Sequence, residues 1–255
     1  MLIEGDCRGM SDLFYSVVVL VCRHAFVVSS DSVVLNASRI PRRGAFLLAS
    51  THTSPFDVPV LMRASRRRLD FVSITEVFRN PWMAWFYSNM NAFPLDRNRA
   101  DPKTVRIILD RLERGRAVAI FPEGRVRPEA ESVMHGASFR PGVARIARLA
   151  GVQIIPVVVW GANRYSRPAS WLPVQRTRYG INFGEPLTVS DEADGERHLA
   201  QAYRALYLEL RAAMDARWPA PSAGRARRSA VGASSISRPR TPAAAQLPAG
   251  SFSWR

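Results

Sequence analysis

Lysine is almost missing from this chain of 255 residues: of its 36 basic side chains, only Lys103 is not an arginine. Acidic residues are also scarce, 21 in all, and the formal charge is +15 at neutral pH. A surface of that sign favours polyanions, whether nucleic acid, an anionic membrane or a phosphorylated substrate. A GC-rich coding sequence would give the same arginine bias without functional meaning. Cysteine occurs only at Cys7 and Cys22, too few for a disulfide framework or a cysteine-ligated metal, and nothing argues for secretion. A long apolar run is missing too. The best candidate, LFYSVVVLVCRHAFVV over 13–28, goes only ten residues before Arg23 and His24 interrupt it, whereas a spanning helix needs ~20. Glu4 and Asp6 stand where a signal peptide would be basic, and no small-residue cleavage site follows. Two readings stay open for this stretch: a buried core helix, or a helix lying in the membrane interface.

Past Pro219 the chain lacks acidic residues altogether and has few large apolar ones before Phe252 and Trp254. Such a segment buries too little surface to offset its ordering entropy, so residues 219–255 are expected to form a disordered basic tail. Its six arginines add weak attraction to anionic lipid. The remainder divides into an N-terminal apolar helix over 1–32 and one folded domain over 33–218, with 47% hydrophobic residues in the chain to build a core.

Within that domain short apolar runs alternate with helical patterns. GAFLLAS, LDFVSIT, RAVAIFP, VQIIPVVVW and RYGINFG read as strands, several of them continuously apolar, as strands covered on both faces are. SPFDVPVLMRASRR, PWMAWFYSNM, DPKTVRIILDRLERG, RPGVARIARLAG and a long helix over 191–218 lie between or after them. Asp101 and Ser190 read as caps, Pro102 as a first-turn residue, and Gly115 and Gly151 as stops. The alternation predicts an α/β fold with a mostly parallel central sheet flanked by helices.

The stretch STHTSPFDVP places His52 and Asp57 five positions apart. In a helix that separation points two side chains ~140° away from each other, so the pair must straddle a strand-to-helix junction. Ser54 fits the N-cap, Pro55 the first helical position and Asp57 the third, a capping box with Asp in place of Glu or Gln. The helix dipole then keeps Asp57 ionised, and the carboxylate orients the imidazole of His52 as a base. Alone, an H-x-x-x-x-D pattern is equally a capped turn at a strand end.

Two further loops follow apolar strands. NAFPLDR, 91–97, carries Arg97, and AIFPEGRVRP, 119–128, carries Glu123, Gly124 and Arg125. Ligands bind at the carboxyl ends of strands in α/β sheets, arginine suits phosphate through its planar fork, and glycine lets a backbone approach a ligand. Neither a G-x-S-x-G elbow nor a Cys–His signature is present. A histidine base without a protein nucleophile implies direct transfer between two bound molecules.

With these residues assembled, the chain resembles the glycerolipid acyltransferase family typified by 1-acylglycerol-3-phosphate O-acyltransferases, which includes tafazzin-like members. The resemblance covers about 33–190. THTSPFD is similar to the family's N-H-x-x-x-x-D motif, with Thr51 in place of Asn. NAFPLDR is similar to its second motif, with Asn91 in place of Gly. Phe121–Gly124 reproduces F-P-E-G, IIPVVV resembles the fourth motif, and FRPG at 139–142 resembles the element that follows the third. The resemblance implies that His52 is the general base on a glycerol hydroxyl attacking an acyl thioester, with Asp57 orienting it. It implies that Arg97, Glu123, Gly124 and Arg125 hold the acceptor, Arg97 on its phosphate, and that no metal or cofactor is needed. Acyl-CoA or acyl-carrier protein would be the co-substrate, a lysophospholipid, above all lysophosphatidate, the acceptor, and the cytoplasmic face of the cell membrane the location. Arg125–Val126–Arg127 departs from the usual Thr-Arg continuation towards the Lys-Val of tafazzin-like members, which leaves open a transacylase that uses no thioester. Charge alone would instead give a non-catalytic membrane-surface or nucleic-acid-binding protein. The matched motifs argue against a nucleic-acid partner.

Overall fold

A computed structural model of the chain describes residues 7–74, 79–95, 102–172 and 176–219. Seven strands form one sheet: β1 (Ser30–Leu35), β2 (Phe46–Ser50), β3 (Leu69–Ile74), β4 (Ala92–Leu95), β5 (Ala117–Ile120), β6 (Ile154–Trp160) and β7 (Thr177–Phe183). Their spatial order is β1-β7-β6-β2-β5-β3-β4. The five strands from β6 to β4 are mutually parallel, whereas β7 runs antiparallel to β6 and carries β1 parallel to itself. The sheet is therefore mostly parallel, as expected. Its central strands are the uninterrupted apolar runs, and every residue of β2 and β5 is buried because helices cover both faces.

Helices α1 (Cys7–Ser29) and α2 (Asp57–Ala64) pack on one face together with the turns over 162–171; α3 (Pro81–Asn89) leans on α1. Helices α4 (Pro102–Glu113), α5 (Val143–Ala150) and α6 (Glu192–Arg217) cover the other face. The spacing of Leu199, Tyr203, Leu206, Leu210 and Met214 along α6 puts one apolar stripe on the sheet, and all five are buried. Local signals mark several ends: Pro102 opens α4, and Gly151 closes α5 with a left-handed φ of 62°. The cap of α6 is Asp191 rather than Ser190, its Oδ1 accepting the Asp194 N–H at 3.0 Å. Asp101 and the expected tail beyond Pro219 lie outside the described residues.

Two features differ from the sequence expectation. β1 was not legible as a strand, because its first half, Ser-Asp-Ser, is polar; it survives at the sheet edge, where one side needs no apolar cover. The boundary expected after residue 32 falls inside that strand, and the described residues up to Arg217 belong to one compact unit. α1 belongs to it through one face. The Tyr15 hydroxyl accepts the Leu69 N–H at 3.2 Å, and the Phe26 ring packs edge-on against Tyr165 at 4.8 Å. The other face leaves Leu13, Val17, Leu20, Val21, Val27 and Val28 about half exposed or more. Thus α1 is neither fully buried nor detached. Among the described residues, no helix is long and apolar enough to cross a membrane.

Candidate active site

β2 and β5 are adjacent and parallel, in the register Ala49↔Ile120, so the segments leaving them emerge side by side at one sheet edge. His52 and Asp57 lie just past β2, Glu123 and Gly124 just past β5. β4 also ends at this edge, at Leu95; Arg97 lies outside the described residues. Asn91, just before β4, has a left-handed φ of 57°. That conformation favours glycine first and asparagine next, which accounts for asparagine where the related motif has glycine.

The Asp57 carboxylate is completely buried, and three donors converge on its Oδ2: His52 Nδ1 at 3.2 Å, Thr53 N–H at 2.7 Å and Ser54 N–H at 2.8 Å. Oδ1 has no hydrogen-bond partner among the described residues. An oxygen that already accepts two backbone N–H groups is an acceptor for the imidazole too. Nδ1 therefore carries the proton and Nε2 is left with a lone pair. The His52 ring stacks on Phe121, centroids 4.0 Å apart and planes 21° from parallel, which fixes its remaining rotation. Sequence reasoning had not assigned Phe121 this role.

The junction differs in detail from the expected capping box. Asp57 does reach back to the Ser54 N–H, but the Ser54 Oγ accepts from Phe56, at 3.1 Å, and the regular helix begins only at Asp57. The electrostatics differ as well. Burial pushes the Asp57 carboxyl above the usual carboxylate range, opposed by His52 and the two backbone N–H groups, which favour the carboxylate. Thr51, in the family's asparagine position, uses its hydroxyl against β6: Oγ1 accepts the Val159 N–H at 3.0 Å and lies 3.3 Å from the Val159 carbonyl. It thereby extends the β2–β6 pairing up to His52.

Glu123 was expected to hold the acceptor directly, but the structure turns it inward. It is 1% exposed, and its Oε1 accepts the Ser132 hydroxyl at 2.6 Å and the Val133 N–H at 3.2 Å. Oε2 has no partner among the described residues, and neither does the nearby buried hydroxyl of Tyr203. Burial pushes Glu123 up against the pull of those two donors and of Arg127; it also pushes Tyr203 well up, with the Glu123 charge adding to the effect. Glu123 thus organises the loop from within, and no sequence signal marked Ser132 as its partner. Gly124 adopts φ +70°, and a Cβ there would come within 2.7 Å of the Arg140 Nε, so the FRPG element closes over the F-P-E-G turn. The Arg127 N–H donates to the His52 carbonyl at 2.9 Å, while its guanidinium reaches the carbonyls of Ser138 at 2.7 Å and Glu123 at 3.3 Å. Arg125 points outward, its side chain 67% exposed and 3.9 Å from Glu131.

A base held by a buried carboxylate, beside a glycine turn and an exposed arginine, suits proton removal from a hydroxyl next to an anionic group. A family model described as Acyltransferase matches residues 32–160, just over half of the chain. The chain belongs to that acyltransferase family. The matched span contains every site residue described above except Tyr203 on α6, and it ends with β6. Among relatives, this chain is 26% identical over 162 residues to the 1-acyl-sn-glycerol-3-phosphate acyltransferase of Bacillus subtilis, covering 63% of this chain and 75% of that protein. It is 27% identical over 193 residues to the Streptococcus pneumoniae protein of the same name, covering 74% and 66% respectively. Among solved structures, the 1-acyl-sn-glycerophosphate (LPA) acyltransferase PlsC from Thermotoga maritima shares the fold, with a TM-score of 0.66 and 22% identity over 82% of this chain and 85% of that one.

Proposed function

We propose that this acyltransferase moves a fatty acyl group from a thioester, acyl-CoA or acyl-carrier protein, to the free hydroxyl of a lysophospholipid, with 1-acylglycerol-3-phosphate giving phosphatidate. The names of its relatives support the acceptor. The observation that carries the chemistry is the His52 Nδ1–Asp57 Oδ2 contact of 3.2 Å, with Oδ2 already committed as an acceptor. Nε2 takes the hydroxyl proton as the oxygen attacks the thioester carbonyl; the C–O bond forms, the C–S bond breaks, and the imidazolium returns the proton to the departing thiolate. Asp57 stabilises the imidazolium in between. Without a covalent enzyme intermediate, proximity of the two substrates supplies on the order of 7–11 kcal/mol and the base a further 10²–10⁴-fold. Arg97 and the exposed Arg125 take the acceptor phosphate, and Gly124 supplies the tight turn, packed under Arg140, that presents Arg125 to it. Glu123 acts at one remove, by shaping their loop.

The proposed acceptor is a membrane lipid, and the exposed surface suits a membrane. The exposed apolar face of α1 adjoins α3, where the Phe14 and Trp85 rings meet at 5.0 Å and Trp82 is 82% exposed. With the positive charge this suits an anionic surface at the cytoplasmic face of the cell membrane. The test is transfer from labelled acyl-CoA to a panel of lysophospholipids by purified protein, beside His52→Ala. Acylation of lysophosphatidate that is lost in the variant supports the reading. Retention of near wild-type transfer by His52→Ala refutes the base, and transfer that proceeds without any thioester makes the enzyme a transacylase.

A further inference from the structure

A second polar site opens at the same edge of the sheet, beyond β6. Trp160 at the end of β6, Thr177 and Arg178 at the start of the antiparallel β7, and the turn after Gly161 enclose a groove of about 450 Å³, within the range of small-ligand sites. Its floor is closely built: Gly161 has φ +85°, and a Cβ there would come within 3.0 Å of the Arg178 carbonyl oxygen. Four arginines line it, Arg164, Arg167, Arg176 and Arg178, against one acid, Glu129. Glu129 is engaged with the Trp160 indole N–H. Arg164 donates to the Arg178 carbonyl at 2.9 Å and lies 5.4 Å from the Trp160 ring centre. Among the described residues, Arg167 and Arg176 have no carboxylate partner. Such an excess of guanidinium in a concave site is chemistry for several phosphate groups at once.

The groove is coupled to His52 by short links. Val159 is bracketed by the Thr51 hydroxyl, so Trp160 and His52 are the next residues along two neighbouring strand ends. Glu129, which holds Trp160, is two residues from Arg127, whose N–H holds the His52 carbonyl. From β2 across β6 to β7 is two strand spacings, ~10 Å, a distance a pantetheine arm can span.

Resting on the proposed thioester-dependent reaction, we infer that this groove binds the phosphorylated nucleotide end of acyl-CoA, with the pantetheine arm running along the strand ends to deliver the thioester to His52. CoA carries a diphosphate and a ribose phosphate at the end remote from its sulfur, as the charge and placement of the groove require. The experiment titrates adenosine 3′,5′-bisphosphate into the full chain by calorimetry and compares Arg167→Ala/Arg176→Ala. Transfer is measured in parallel with acyl-CoA and with acyl-pantetheine, which has the same thioester but no nucleotide. Binding that weakens about tenfold or more in the double variant, with the same loss in the acyl-CoA to acyl-pantetheine ratio of kcat/KM, supports the inference. Unchanged bisphosphate binding overturns it, and so does a variant that loses affinity for anionic vesicles instead, which would assign the groove to lipid headgroups. Absence of transfer from either donor refutes the proposed reaction, whereas the bisphosphate titration still decides the groove.

Discussion

The backbone N–H of Arg127 donates to the carbonyl of His52 at 2.9 Å, so the loop after β5 holds the loop that carries His52. The Arg127 guanidinium keeps that strap in place through the carbonyls of Ser138 and Glu123. Arg127→Ala should cost about 1–3 kcal/mol of stability, since two carbonyls lose a charged donor. Turnover should fall about tenfold with little change in KM for either substrate. Arg127→Lys should restore little, because an ammonium on a flexible stem does not reproduce the fork. Denaturation midpoints beside steady-state kinetics check both statements.

Asp57→Asn should keep the fold and lose the base. An amide with its oxygen in the place of Oδ2 still accepts from Thr53, Ser54 and the His52 Nδ1, but it is neutral and no longer stabilises the imidazolium. If its nitrogen faces His52 instead, Nδ1 becomes the acceptor and Nε2 takes the proton. Either outcome lowers kcat by on the order of 10²–10⁴, with an unchanged circular dichroism spectrum.

Glu123→Gln should alter the pH dependence of stability. Burial raises the folded-state pKa of Glu123 above its unfolded value. Between those two values the native state binds the extra proton, so stability is highest below the window and is lost as pH rises through it. Glutamine does not titrate and can still accept from Ser132 and Val133. The variant should therefore show a shallower decline from pH 4 towards neutrality and greater stability above the window, measured by denaturant unfolding across pH. Asp57, raised by burial in the same direction, leaves part of the slope in place.

Gly124→Ala should be costly for two separable reasons. A φ of +70° strains any side chain, by about 1–2 kcal/mol, and the new Cβ collides with Arg140. Adding Arg140→Ala should relieve the collision but not the backbone strain, so the double variant should recover only part of the lost stability. Thermal unfolding of the three proteins measures the two parts.

The strands, their covered faces and the pairing of His52 with Asp57 were legible because each rests on local chemistry: continuous apolar runs, a proline and a serine at a helix start, a glycine at a stop. Placement of Glu123 was not legible. An acidic residue in a turn reads as exposed, and only the tertiary contact with Ser132 and Val133, from a segment with no regular pattern, turns it inward. The same limit applies to Phe121 against His52 and to Arg127, whose functional atom is a backbone N–H that any residue but proline supplies. β1 escaped notice because an edge strand needs only one apolar side, and half of its six residues are polar.

The N-terminal run interrupted by Arg23 and His24 admitted either a buried or an interfacial helix, and α1 has one face in the core and the other exposed. Tyr15 and Phe26 fix one face to the core, while Leu20 and Val21 are 55% and 62% exposed on the other. Burying such side chains in the acyl boundary is favourable by about 1.5–3 kcal/mol each when complete, and a charge in the same place opposes binding. Leu20→Glu/Val21→Glu should therefore weaken partition onto anionic vesicles by about 100-fold or more. The melting temperature should change little, since neither side chain supports the core. Activity on a lipid acceptor in vesicles should fall with partition, whereas activity on a monomeric short-chain acceptor should persist. That split separates a helix that delivers the enzyme to its substrate from one that only completes the fold, for which partition onto vesicles would not change.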